Sequence, residues 1–226
     1  MARADAHSVL HESALARERE NRAAGTDAED YALADLLRDE LREKLGVETR
    51  SFQDLCHLTI ADDACIPILA AYLPRFRNVG FAQNLVTQQF WRKGNADCAD
   101  FLESWIQQLR AEGRLSKPIE ETIDNALARI QDKRKVPFYL DLIRPADAFY
   151  LTMRMLARWQ VEDALPIICD RLGKDRIPTN AIASLAAFGD ASLVPLVRPF
   201  LNSGQAGPRE ATRKAIARME QARARN

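Results

Sequence analysis

The 226-residue sequence predicts an all-α chain built of stacked antiparallel helix pairs, and three observations carry that expectation. Ala, Leu, Arg and Glu dominate, glycine is sparse and β-branched runs are absent, a composition that favours helix over strand. Apolar segments of about ten to fifteen residues alternate with short turns marked by Gly and Pro, the usual punctuation between helices. A spacing of 29 residues also recurs, first seen at Pro137, Pro166 and Pro195.

Taken in order, residues 1–25 are rich in Ala, Arg and Glu with few large apolar groups, and are expected to be flexible or weakly helical. The remainder, 26–226, is expected to form the stack, with capping helices in 26–60 and the clearest repeats in 122–222. Thr26 with Glu29 reads as a capping box. Leu33, Leu36, Leu37 and Leu41 then recur at helical spacing, and Gly46 suits the stop. Ser51 can cap a short helix through Leu58. Further helices are expected near 62–73, 78–91, 97–111, 118–131, 135–143, 147–159, 163–172, 179–188, 192–201 and 208–222. Pro199 lies past the first turn of its helix, where a proline breaks the backbone hydrogen-bond ladder, so a kink is expected there.

The period extends beyond proline. Leu127, Leu156 and Leu185 share the 29-residue step, as do Ala128, Ala157 and Ala186, and the large apolar set Ile130, Trp159 and Phe188. Each window reads as a helix A ending in Leu-Ala-x-(large apolar), a short polar turn, and a helix B with proline near its start. Asp163 and Ser192 are candidate N-caps for two of the B helices. One such pair cannot bury its apolar face alone, so neighbouring pairs must stack.

The run from Asn180 to Val197 resembles a HEAT unit of the short, HEAT-like class, and so does Leu156 to Leu172; Arg209 to Met219 resembles the start of another. The resemblance implies a right-handed superhelical solenoid with a binding role, the B helices lining its concave side. It supplies no catalytic residues.

Charge and motifs narrow the function classes. Formal net charge is zero, but residues 1–130 carry a balance of −6 and residues 131–226 a balance of +6. The four cysteines form no CxxC pair, and nothing in Met1 to Glu20 reads as a secretory signal. No stretch approaches the roughly 20 apolar residues of a membrane span, so a cytoplasmic location is expected. Phosphate-loop, dinucleotide, nucleophile-elbow and HExxH motifs are absent. His7 with His11, and Cys56-His57 with Cys65, lack the three or four fixed ligands that a metal site needs. The paired carboxylates Asp62-Asp63, Glu120-Glu121 and Glu162-Asp163 sit where helices begin, where the helix dipole favours them. No enzyme activity, cofactor or metal is therefore expected.

The expected function is a non-catalytic scaffold that holds a protein or peptide on its concave face. Helical phase selects Tyr139, Asp141, Arg144, Asp170, Arg171 and Arg198 as the binding face. The alternative is nucleic-acid binding in the manner of the HEAT-like alkylpurine DNA glycosylases. It would use a basic stripe running from Lys133, Arg134 and Lys135 through Arg171, Lys174 and Arg176 to the last helix. That reading needs a buried carboxylate, for which Asp147, Asp163 and Asp170 are the candidates.

Overall fold

The computed structural model describes residues 2–25, 27–49, 51, 54–55, 64–78, 80–81 and 96–223. Among these the chain is helical, with eleven α-helices and no strand. They are α1 (Ala2–Ala23), α2 (Ala28–Leu45), α3 (Cys65–Tyr72), α4 (Ala96–Ala111), α5 (Lys117–Ile130), α6 (Val136–Ile143), α7 (Tyr150–Arg158), α8 (Ala164–Lys174), α9 (Thr179–Phe188), α10 (Val194–Val197) and α11 (Ala206–Arg223). Contacts divide the chain into two compact units, 1–126 and 127–226, and the division falls within α5. The expected helix over 78–91, the Thr26 cap, the Cys56-His57 pair and Asp62-Asp63 lie wholly or mostly outside the described residues.

In the first unit, α1 is tied down at its end. Arg22 pairs with Glu18 and Asp35, each at 2.8 Å, and its guanidinium lies over the Tyr31 ring. Helix α2 buries Leu33, Ala34, Leu37 and Leu41 and stops at Gly46, whose φ of 66° is the left-handed conformation that glycine adopts at no steric cost. Ser51 caps as expected: its hydroxyl accepts from the Asp54 amide at 3.0 Å, and the Asp54 carboxylate accepts from the Ser51 amide at 3.1 Å. Asp30, only 3% exposed, accepts from the amides of Arg77 and Asn78, holding the chain that leaves α3 against α2.

In the second unit the 29-residue period becomes a structural one. The A helices end in α5, α7 and α9, and the B helices are α6, α8 and α10. Leu127, Leu156 and Leu185 are each 0% exposed. The residue that ends each A helix is left-handed: Gln131 at φ 57°, Gln160 at φ 59° and Gly189 at φ 71°. Two of these turns then use an aspartate. Asp132 accepts from the Arg134 amide and Asp190 from the Ser192 amide. Ser192 is therefore the capped residue rather than the cap. Asp163 precedes α8 but makes no side-chain cap.

Helix α7 packs on α9 and α9 on α11, while the B helices α6 and α8 pack against these A helices. At Pro199, α10 gives way at Val197 to a 3-10 segment over Arg198–Asn202, because the proline has no amide to continue the α ladder. No helix among the described residues is long and apolar enough to cross a membrane.

Candidate functional site

Each B helix presents the same pattern outward. Pro137, Pro166 and Pro195 are exposed, and the next residue of each helix is Phe138, Ile167 or Leu196. Phe138 and Ile167 are half-buried, and Leu196 is 45% exposed. Two residues after each proline, Tyr139, Ile168 and Val197 turn inward and are 0% exposed. A helix buries one stripe and shows the other, and here the shown stripe carries a ladder of apolar side chains in register.

Between α6 and α8 this face forms a groove of about 590 Å³. Leu140, Pro166 and Ile167 supply its apolar part, and Arg144, Asp163, Asp170 and Lys174 its charged border. Much of that border charge is paired: Arg144 with Asp141 at 3.2 Å, and Lys174 with Asp170 at 2.7 Å. Such exposed pairs add little stability, so a ligand can exchange them at small cost. The Cys169 thiol on α8 is held above its ordinary pKa by burial, and so stays a weak nucleophile.

Helix α8 also carries part of a buried polar cluster. Arg171, 0% exposed, donates from Nε to Asp175 at 3.0 Å and from Nη1 to the carbonyls of Ala148 at 2.7 Å and Ile143 at 3.2 Å. Asp175 also accepts from the Asp147 amide at 3.0 Å. Tyr150 donates to Asp147 at 2.8 Å, and the Arg171 guanidinium lies 4.9 Å from its ring centre. The connection from α6 to α7 needs this support, since Asp147 and Phe149 are non-glycine residues at φ 57° and 49°.

The Tyr150 hydroxyl is held above its ordinary pKa, first by burial and then by its hydrogen bond to Asp147 and the charge of Asp175. A raised folded value means that the stability tied to neutral Tyr150 is intact below about pH 10 and falls as pH rises through the folded value. Urea midpoints measured from pH 8 to 11 are therefore expected to drop more steeply for the wild type than for Tyr150→Phe; parallel curves would contradict the burial.

The structure divides the six expected binding residues. Asp141, Arg144, Asp170 and Arg198 are exposed, and two of them, Arg144 and Asp170, line the groove. Tyr139 and Arg171 are corrected: both are fully buried, Tyr139 in the core stripe of α6 and Arg171 in the clamp. The expected basic stripe is corrected as well. Lys133–Lys135 precede the start of α6, whereas Arg171 and Lys174 close the end of α8. The turn that corresponds to Lys133–Lys135 contains Glu162 and Asp163, which carry the opposite sign.

Of the three carboxylates considered for base excision, Asp163 and Asp170 are exposed and Asp147 is engaged by Tyr150. Among the described residues the buried aspartates are Asp30, Asp124 and Asp175, and Asp175 is held by Arg171. No group of three or more His, Cys, Asp and Glu side chains among the described residues is placed to hold a metal. Comparison with family models, curated proteins and solved structures returns no match.

Proposed function

We propose that this chain is a non-catalytic interaction module: a HEAT-like, right-handed stack of helix pairs that binds a protein or peptide segment across its B helices. The observation that carries the reading is the outward ladder of Phe138, Ile167 and Leu196, in register with three exposed prolines and bordered by charges of both signs. Partly exposed apolar side chains in a repeated arrangement, with a polar rim, suit a protein interface. Arg144, Asp170 and Lys174 would set the orientation of the segment, and Arg198 would extend the contact along the next B helix.

The test is affinity purification from the native host at low salt and at 0.5 M salt, where the Debye length is about 4 Å. Wild-type protein is expected to retain a protein partner at both. Ile167→Glu with Leu196→Glu is expected to lose that partner at least ~10-fold while keeping its thermal unfolding midpoint, since neither side chain is in the core. Equal retention by the double variant would refute the B-helix face. Recovery of nucleic acid alone, and only at low salt, would favour the phosphate-binding alternative.

A further inference from the structure

The A helices carry a second groove, of about 380 Å³, that the proposed function does not use. Its floor is made of methyl groups: Ala183 and Ala186 of α9, and Ala211 and Ala215 of α11. Gly207 continues the floor, and a Cβ built on it would meet Thr179 Oγ1 at 3.5 Å. These small residues let α9 and α11 approach closely and leave a trough that nothing in either helix fills. The rim is cationic. Arg154 stands on α7, and Lys214 and Arg218 stand one turn apart on α11. Glu210, the single acid of the rim among the described residues, is shared between Lys214 at 3.3 Å and Arg213 at 2.8 Å. Among the described residues Arg154 and Arg218 have no carboxylate partner.

The first unit carries the complementary surface. Leu36 on α2 is 54% exposed, more than any other large apolar residue described. It belongs to an exposed stripe of Ala32, Leu36, Asp39 and Glu43, spaced i, i+4, i+7 and i+11 along one helix face. Among the described residues Asp39 is engaged by the exposed Arg42 of its own helix, a pair easily exchanged. Asp39 and Glu43 are four residues apart, as are Lys214 and Arg218, so each pair spans about 6 Å of helix axis.

We infer that the groove on α7, α9 and α11 of one copy docks the α2 stripe of a second copy, with Leu36 on the alanine floor and Asp39 and Glu43 on Lys214 and Arg218. The balance of −6 in residues 1–130 and +6 in residues 131–226 gives the two surfaces opposite sign, so each attracts its counterpart on a second copy. A nucleic-acid backbone fits less well, because Glu210 would repel it and the methyl floor offers it nothing. A single helix in a groove of this size buries less than a standard interface, so the association is weak, with a Kd of roughly 10–500 µM.

Sedimentation of the full chain from about 5 to about 500 µM covers that range. Self-association is expected at 50 mM salt, weakened at least ~10-fold at 0.5 M salt. Arg154→Glu with Arg218→Glu is expected to be monomeric, and so is Leu36→Lys; both change exposed side chains, and unchanged thermal midpoints would establish that each folds. An equimolar mixture of the two variants is expected to recover a heterodimer, since it pairs one intact stripe with one intact groove.

Wild-type protein that stays monomeric throughout at 50 mM salt would overturn the inference, and so would association that neither variant weakens. A silent mixture of variants would also overturn it, by requiring identical patches on both partners. A shift seen only when a duplex oligonucleotide is added would overturn it in favour of a phosphate backbone. These outcomes leave the B-helix reading untouched, because no residue is shared between the two surfaces.

Discussion

Arg171→Leu is expected to lower the unfolding free energy of the second unit by about 3–5 kcal/mol, read as a shift of the urea midpoint. The size follows from what the guanidinium leaves behind. Asp175 would remain buried with a charge and no cation, and the carbonyls of Ile143 and Ala148 would each lose a donor. The cost is not the loss of an ion pair's attraction, since a buried pair is close to neutral against apolar residues of the same volume. Oδ2 of Asp175 and Nη2 of Arg171 make no hydrogen bond to the described residues, so the pair is itself incompletely satisfied.

That argument yields a sharper expectation. Arg171→Leu combined with Asp175→Leu should cost less than the sum of the two single changes, by at least ~1–2 kcal/mol. Strict additivity would mean that the two side chains act separately and that the clamp is not a unit. Leucine is the informative replacement. The positions 29 residues before and after Arg171 are Leu142 and Phe200, so the repeat already accommodates a large apolar group in this place.

The same comparison explains which parts of the fold were legible in the sequence. The 29-residue step found the A helices, the turns and the B-helix prolines, because burial and turn geometry repeat with it: the three Leu at 127, 156 and 185 are fully buried and the three Pro are exposed. Helical phase on α8 alone puts Arg171 outward, whereas its equivalents Leu142 and Phe200 mark the position as one for a large apolar group. The basic stripe failed for a related reason. Residues 133–135 correspond to 162–164 and not to 171–176, so joining them put opposite ends of two helices on one edge.

The outward ladder was equally available, since Phe138, Ile167 and Leu196 each follow a proline of the repeat. The shape of the α6 to α7 connection was not. Its left-handed residues are Asp147 and Phe149 rather than glycines, and what holds them is an arginine and an aspartate more than twenty residues further along the chain. No local pattern announces such a dependence. The charge asymmetry of the two halves was legible as a number, but its pairing of a methyl-floored groove with an exposed leucine needed the burial of individual side chains.

Tyr139→Ala is expected to cost about 3–5 kcal/mol, the range for removing a large aromatic side chain from a core. Tyr139 is 0% exposed, sits 6.3 Å ring to ring from Trp159, and occupies the position held by Ile168 and Val197 in the following B helices, both also 0% exposed. Truncation therefore removes an aromatic group from one core stripe and leaves a cavity in it, since the flanking helices can close only in part. Asp141→Ala, two residues further along the same helix, is the matched control. Its carboxylate is 69% exposed and, among the described residues, paired with the exposed Arg144, so a change within about 0.5 kcal/mol is expected. Urea unfolding of the two variants separates a core position from a surface one on a single helix. Equal small effects would mean that Tyr139 faces solvent, and with it the inward stripe of α6, α8 and α10 would lose its register; a large loss at Tyr139 alone would fix which face of the B helices is left for a partner.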